Sequence, residues 1–445
     1  EPVGRMNAHV GTRLRGTADL NEGFSGTTSR LLAPSGPARA MLDHGRVGTE
    51  GGAAIAALPT QEPTSGGIDL GEQVIGLAAE IEITCCTMPE GLKVILRGVL
   101  EDATGVLSTV ELGMYDLRPG EHEVAKLLPE VRLPAVTDPQ ESADRLAAAA
   151  AARAYPLRLV GLQAIMAEDD GIVSSWGEPY DATVAITELS VLRPAADVDA
   201  VDPEDWVQHE RLDGPEVGIV KEPVELGPGE WSITGHGLTG DFEPPTDSPL
   251  WVRLLGVAES FRAQPAMGAV VAWEPVGEVP AVVSAPLMAM MEPDTELISI
   301  KLDGVVLRGV VADVVDRVPT TTAPLAVAVD RTTVSRALIE AGADATLVDE
   351  WWVDVPDAQA WAAALPEDAS GRSLAARTET TAGTAQELLE HPLRSANQVV
   401  LGLLALGGAL IATVGFAVHT AVSVRGRGLE LAQLRAVGLT RGRLT

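Results

Sequence analysis

Lysine is nearly absent from this chain: Lys93, Lys126, Lys221 and Lys301 are the only four in 445 residues, and none follows a glycine. A P-loop needs a glycine-rich turn ending in Gly-Lys, so no such nucleotide site is present and any ATPase must be another chain or domain. Cysteine is scarcer still. Cys85 and Cys86 stand side by side in the strand-like run AEIEITCCTM, where neighbours point to opposite faces, so they are not a disulfide framework. Without a CxxC, a second pair or clustered histidines they read as two semi-buried thiols and not as a metal site. Histidine pairs are missing too: HEVAK at His122 and HERLD at His209 lack the second histidine of a zincin, and GFSGT at Ser25 lacks the closing glycine of a nucleophile elbow. The 63 acids offer so many carboxylate pairs that none can be singled out for glycoside cleavage. No catalytic residue, cofactor or metal ligand is expected, and the chain is read as a non-enzyme.

Positive charge is also short. Lys plus Arg is 32 against 63 Asp plus Glu, a net charge of −31. The 47 residues from Val399 onward carry five Arg and one Glu, +4, so residues 1–398 hold −35. So acidic a surface argues against nucleic acid as a partner and against docking on an anionic membrane surface, while serving solubility.

What the chain does have is one long apolar run. Val399 to Val424 contains no Asp, Glu, Lys or Arg over 26 residues, and at about 1.5 Å per residue this outruns a hydrocarbon core of roughly 30 Å. It reads as a membrane span. Arg425, Arg427, Arg435, Arg441 and Arg443 follow it against the single acid Glu430, so the positive-inside rule puts the C-terminal end in the cytoplasm and the acidic portion outside. Within the span Ala405, Gly408, Ala412, Gly415 and His419 are spaced 3, 4, 3 and 4 residues apart, which lines small residues along one helix face and favours a helix packed against others over a lone anchor. His419, near the headgroups, reads as an interfacial or interhelical hydrogen-bonding residue.

The residues beyond the span carry a resemblance. Arg427, Glu430, Leu431, Leu434, Arg435, Ala436, Gly438 and Arg441 match the pattern R-x-x-E-L-x-x-L-R-A-x-G-x-x-R, which resembles the end of the second transmembrane helix of FtsX-like (MacB-type) permeases of ABC transporters, here of the large actinobacterial form. Gln433 and Val437 stand where that family usually shows apolar residues. The resemblance implies that this short cytoplasmic helix docks a separate ABC ATPase subunit, through Arg427, Glu430, Leu434, Arg435, Gly438 and Arg441. It also implies further spans after Thr445, so the chain is expected to be an excerpt of a longer polytopic protein. Physically, Leu431, Leu434 and Gly438 share a face, Gly438 suits a left-handed cap, and Thr440 can cap the next turn.

Upstream, residues 1–66 are rich in Gly, Ala, Pro, Ser and Thr without sustained periodicity and read as a poorly ordered or linker-rich extracellular segment. Over 67–197, LKVILRGVLED, LSTVELGMYDL, LRLVGLQAIMAE and ATVAITELSVL recur between turns, the pattern of a jelly-roll-like β-sandwich interrupted by the helix SADRLAAAAAARA. That block resembles jelly-roll modules inserted in large permeases of this family and, more distantly, carbohydrate-binding modules. Its aromatics Tyr115, Tyr155, Tyr180 and Trp176 read at least as well as core, so a spacer or protein-contact role is favoured over glycan binding. Residues 198–392, including ELISIKLDGVVLRGVVADVVDRVP and PLAVAVDRTTVSRALIEAG, resemble the α+β periplasmic core domain of the MacB-type family. Asp330, Thr332 and Thr333 there supply helix-start oxygens, and Trp351 and Trp352 precede a helix.

The expected architecture is therefore two extracellular domains, a transmembrane helix over 393–424 and a cytoplasmic coupling helix over 425–445. The expected role is a permease segment in the cell membrane that passes ATP-driven motion to the outer domains, for export, lipid or lipoprotein handling, or control of cell-wall enzymes. Its expected partners are the ATPase, other permease helices or a second permease copy, membrane lipid, and an extracellular protein or substrate. The alternative is a single-span cell-surface receptor or glycan-binding module.

Overall fold

The computed structural model describes residues 4–5, 11–16, 27–39, 42, 49–61, 64–87, 92–129, 131, 139–151, 154–168, 179–196, 219–226, 231–236, 248, 250–257, 267–291, 296–302, 305–321, 323–343, 351–352, 355–364, 378, 380–390 and 392–438. The chain divides into two compact units, Glu1–Val353 and Asp354–Thr445.

The larger unit is mostly sheet. Alternation along each strand decides its faces: in Gly76–Thr87, Leu77, Ala79, Ile81 and Ile83 are buried, while Glu80, Glu82 and Thr84 between them keep access to solvent. This strand pairs antiparallel with Gly120–Leu127 on one side and with Pro179–Pro194 on the other. The facing sheet runs Ser232–His236, Met267–Val271, Leu157–Glu168, Leu92–Glu101, Leu107–Asp116, with Ile68–Gly71 also paired to Leu157–Glu168. Between the sheets lies one apolar core in which Leu77, Ile81, Leu96, Leu162, Val184 and Ile186 have no exposure. Each such side chain contributes about 1.5–3 kcal/mol by leaving water. The helix Pro139–Ala151 buries Ala143, Leu146 and Ala150, one stripe at helical spacing, and Leu146 and Ala150 pack with Ile75, Ala78, Leu192 and Ile219.

The sandwich is larger than the 67–197 block expected from the strand runs. Pro179–Pro194 is 16 residues long, and its outer edge takes Trp251–Val257 along residues 179–185 and Ile219–Val224 along 189–194. Ser232–His236 and Met267–Val271 extend the other sheet. Strands from beyond the joint at 198 thus satisfy edge hydrogen bonds that an isolated 67–197 block would leave open.

A second sheet system closes on itself. Val279–Ser284, Val305–Val315, Leu297–Leu302, Gly11–Gly16, Thr27–Leu32 and Ala326–Val329 follow one another around a barrel, and Ala326–Val329 returns to Val279–Ser284. Closure leaves no strand edge. Inside are Val279, Ala281, Val283, Ile298, Ile300, Leu302, Val327 and Val329; Val282, Ala326 and Ala328 face outward, beneath Leu42, Ile55 and Leu58. The segment read as linker-rich therefore supplies two barrel strands, paired by non-local contacts that no periodicity in residues 1–66 announces. Among the described residues, the region read as α+β combines strands with the helices Ala285–Met288, Arg331–Glu340, Ala358–Ala363 and Thr381–Glu390, of which Arg331–Glu340 is buried along most of its length. That helix starts as its sequence suggests: Asp330 Oδ2 accepts from the Thr333 N–H and from Thr333 Oγ1, both at 2.8 Å.

Trp351–Trp352 forms a short strand against Gly4–Arg5. The smaller unit then holds the helices Ala358–Ala363, Thr381–Glu390, Pro392–Gly426 and Gly428–Ala436.

Candidate functional site

The residues singled out from the sequence lie on the last two helices. Pro392–Gly426 is 35 residues of unbroken α-helix, and its stretch Val399–Gly426 is long and apolar enough to cross a membrane, with none of it buried within the chain. Leu401, Leu404, Ile411 and Phe416 are each at least 65% exposed. Uncovered side chains of this kind over the whole circumference require an apolar medium or neighbouring helices. Its two threonine hydroxyls are already provided for: Thr413 Oγ1 donates to the Ala409 carbonyl and Thr420 Oγ1 to the Phe416 carbonyl, each at 2.7 Å, so neither hydroxyl demands water.

Ala405, Gly408, Ala412 and Gly415 share one face of this helix and all are exposed. A Cβ built at Gly408 or Gly415 would meet nothing within 4 Å, so the small-residue face lies bare. A second helix could approach there to backbone distance.

At Arg427 the long helix gives way to the short one. Arg427 has φ −85° and ψ −4°, and its N–H donates to the Ser423 carbonyl at 3.1 Å, which closes the last turn of the long helix; the short helix opens at the next residue, Gly428. The short helix ends as its sequence suggests: the Val437 N–H reaches the Gln433 carbonyl at 3.2 Å, the Gly438 N–H reaches Arg435 at 3.0 Å, and Gly438 takes φ +92°. This is the left-handed closure for which glycine is suited. Arg427, Glu430, Leu434 and Arg435 are all exposed, with Val437 at 81% beside them. Arg441 and Thr440 lie outside the described residues, as does the side chain of Leu431.

Features weighed for other chemistry settle into structural places. Tyr180 is buried in the sandwich core, where desolvation raises its hydroxyl pKa, and Tyr115 and Tyr155 pack partly buried against the same core. They offer no flat exposed ring for a sugar; Trp176 lies outside the described residues. His122 tilts against Tyr115 with ring centroids 4.8 Å apart. The side chains of Cys85 and Cys86, and the stretches around Ser25 and His209, are also outside the described residues. Asp181 makes a paired contact with Arg253, Nε to Oδ1 at 2.7 Å and Nη2 to Oδ2 at 2.6 Å, which holds its carboxyl below the ordinary range.

One polar cluster went unread in the sequence. Arg336 and Glu340 stand four apart on one helix face and Arg331 lies on the opposite side, yet both arginines are under 5% exposed and Glu340 contacts Trp273 and Val276. Its sign was indirect: the same ten-residue helix carries Val334, Leu338 and Ile339, too many apolar positions for one covered stripe.

Comparison of the chain with protein-family models, with curated proteins and with solved structures finds no match. Among the described residues, the fold and the site define a sheet-rich chain with one helix long and apolar enough to span a membrane near its C-terminus.

Proposed function

We propose that this chain is the permease segment of an FtsX-like (MacB-type) ABC transporter, with the sandwich and barrel outside the cell and the short C-terminal helix in the cytoplasm. The observation that carries the reading is the direct succession, across the single residue Arg427, of a bare apolar helix and a short exposed helix closed by a left-handed Gly438. Only Arg427 separates the two helices, so a force applied to Glu430 and Arg435 acts at the end of the membrane stretch. The arginine excess after the span supports the orientation. In this role the chain hydrolyses nothing itself; it takes motion from a separate ATPase and delivers it outside.

The test is charge reversal. Glu430→Arg with Arg435→Glu should abolish permease-stimulated ATP hydrolysis while leaving membrane insertion intact, because Arg425, Arg427, Arg441 and Arg443 still set topology. Wild-type stimulation in the double variant overturns the docking assignment. Absence of any stimulation by the unmodified protein overturns the transporter reading.

A further inference from the structure

The sandwich and the barrel are joined by two chain crossings, one between Ala56 and Ile68 and one between Val271 and Val279. Two parallel linkers of this kind ordinarily act as a hinge. Here the helix Arg331–Glu340 takes hold of both. Arg336 Nη1 donates to Gln61 Oε1 at 3.3 Å and Arg336 Nη2 to Thr64 Oγ1 at 3.0 Å, on the first crossing. On the second, Glu340 accepts from Trp273 Nε1 at 2.8 Å and from the Val276 N–H at 3.0 Å. The Arg336 guanidinium also lies 5.3 Å from the centroid of the Trp273 ring, tying the crossings to each other. Arg39, from the barrel side, donates to the Leu58 carbonyl at 2.6 Å and pairs with Asp330 at the start of the same helix.

The helix is seated in both bodies at once. Val334, Ala337 and Leu338 belong to the barrel core, whereas Ile339 packs with Val99, Val160, Met267 and Ala269 of the sandwich. Arg331 Nη2 reaches the Gly105 carbonyl, in the turn between two sandwich strands, at 3.1 Å. Gln163, wholly buried in the middle of a sandwich strand, donates from Nε2 to the Ile339 carbonyl at 2.6 Å and to Ala343 at 3.3 Å, capping the helix C-terminus with a side chain from the other body. Burial pulls the Arg331 and Arg336 pKa values below their ordinary range, and the fields of Asp330 and Glu101 oppose that pull. Buried charges so held are costly to separate, because hinging would strand each without its partner.

From this we infer that the helix Arg331–Glu340 is a clamp that locks the sandwich to the barrel, so that the two move as one rigid lever and not as a core domain with a tethered module. The inference goes beyond the transport reading and does not depend on it, since no ATPase enters the measurement. Full-length protein with Cys85→Ser and Cys86→Ser carries spin labels across the joint at Thr187 and Val306, both exposed, or within the sandwich at Thr187 and Met114. The expected result is a single narrow distance distribution across the joint, no wider than the one within the sandwich. A broad or two-peaked distribution in this background overturns the inference. Arg336→Ala with Glu340→Ala should then widen the cross-joint distribution alone, and an unchanged width overturns the assignment of the clamp to these contacts. If that variant does not fold, Arg336→Lys, which loses the planar fork serving Gln61 and Thr64 together, is read in the same way.

Discussion

Substituting Gly342 puts the junction of sandwich and barrel under direct test. Gly342 follows the helix Arg331–Glu340 with φ +80°, and its N–H donates to the Ile339 carbonyl at 3.0 Å. In Gly342→Ala the new Cβ would stand 2.3 Å from Met267 Sδ and 3.2 Å from its Cε, on a sandwich residue that is itself 2% exposed. Two costs add. A left-handed backbone at a non-glycine residue costs about 1 kcal/mol, and forcing a methyl into a filled core costs about 1–3 kcal/mol. The variant should therefore lose about 2–4 kcal/mol in urea unfolding of the larger unit, followed in the full-length protein by tryptophan fluorescence. Met267→Ala alone should cost about 2–5 kcal/mol through its cavity. Combined, the two should cost about 1–3 kcal/mol less than their sum, because the methyl at 342 enters space the methionine vacated and only the backbone strain persists. A loss below about 0.5 kcal/mol for Gly342→Ala, or strict additivity in the double variant, would refute the packing on which the joint is argued.

Two further outcomes can be checked. Desolvation raises the Glu340 pKa, against the lowering effects of its bonds to Trp273 and Val276 and of Arg336, so the folded state binds that proton more tightly than the unfolded chain does. Its contribution to stability must then decline as pH rises from the ordinary carboxylate range through the raised value; Glu340→Gln should flatten that part of the urea midpoint against pH, and an unchanged slope relative to wild type would contradict the assignment. In the apolar helix, Gly408→Leu with Gly415→Leu should leave membrane insertion unaltered, since a side chain at either position meets nothing in the chain, but should weaken association with other helices on native gels or in crosslinking. Undiminished association would show that the small-residue face is not the packing face.

Much of the local structure was legible in the residues. An uncharged run of 26 residues can hide its backbone only as helix, so Val399–Val424 had a single reading, and Gly438 and Asp330 announced their caps because each supplies chemistry that a helix end demands. The sandwich strands were equally plain, since Ala79, Ile81 and Ile83 alternate with Glu80, Glu82 and Thr84. Partners across a sheet were another matter. Nothing in Gly11–Gly16 or Thr27–Leu32 states that they close a barrel with strands some 300 residues away, and nothing in Ile219–Val224 states that it completes a sheet begun at Gly76, because pairing depends on which edges remain open once the other strands are placed. Arg331, Arg336 and Glu340 make the same point for charge. Charged residues on a short helix ordinarily face water; only the enclosure of this helix between two cores turns the two arginines into buried fastenings, since burial belongs to the assembled fold and not to the residue types.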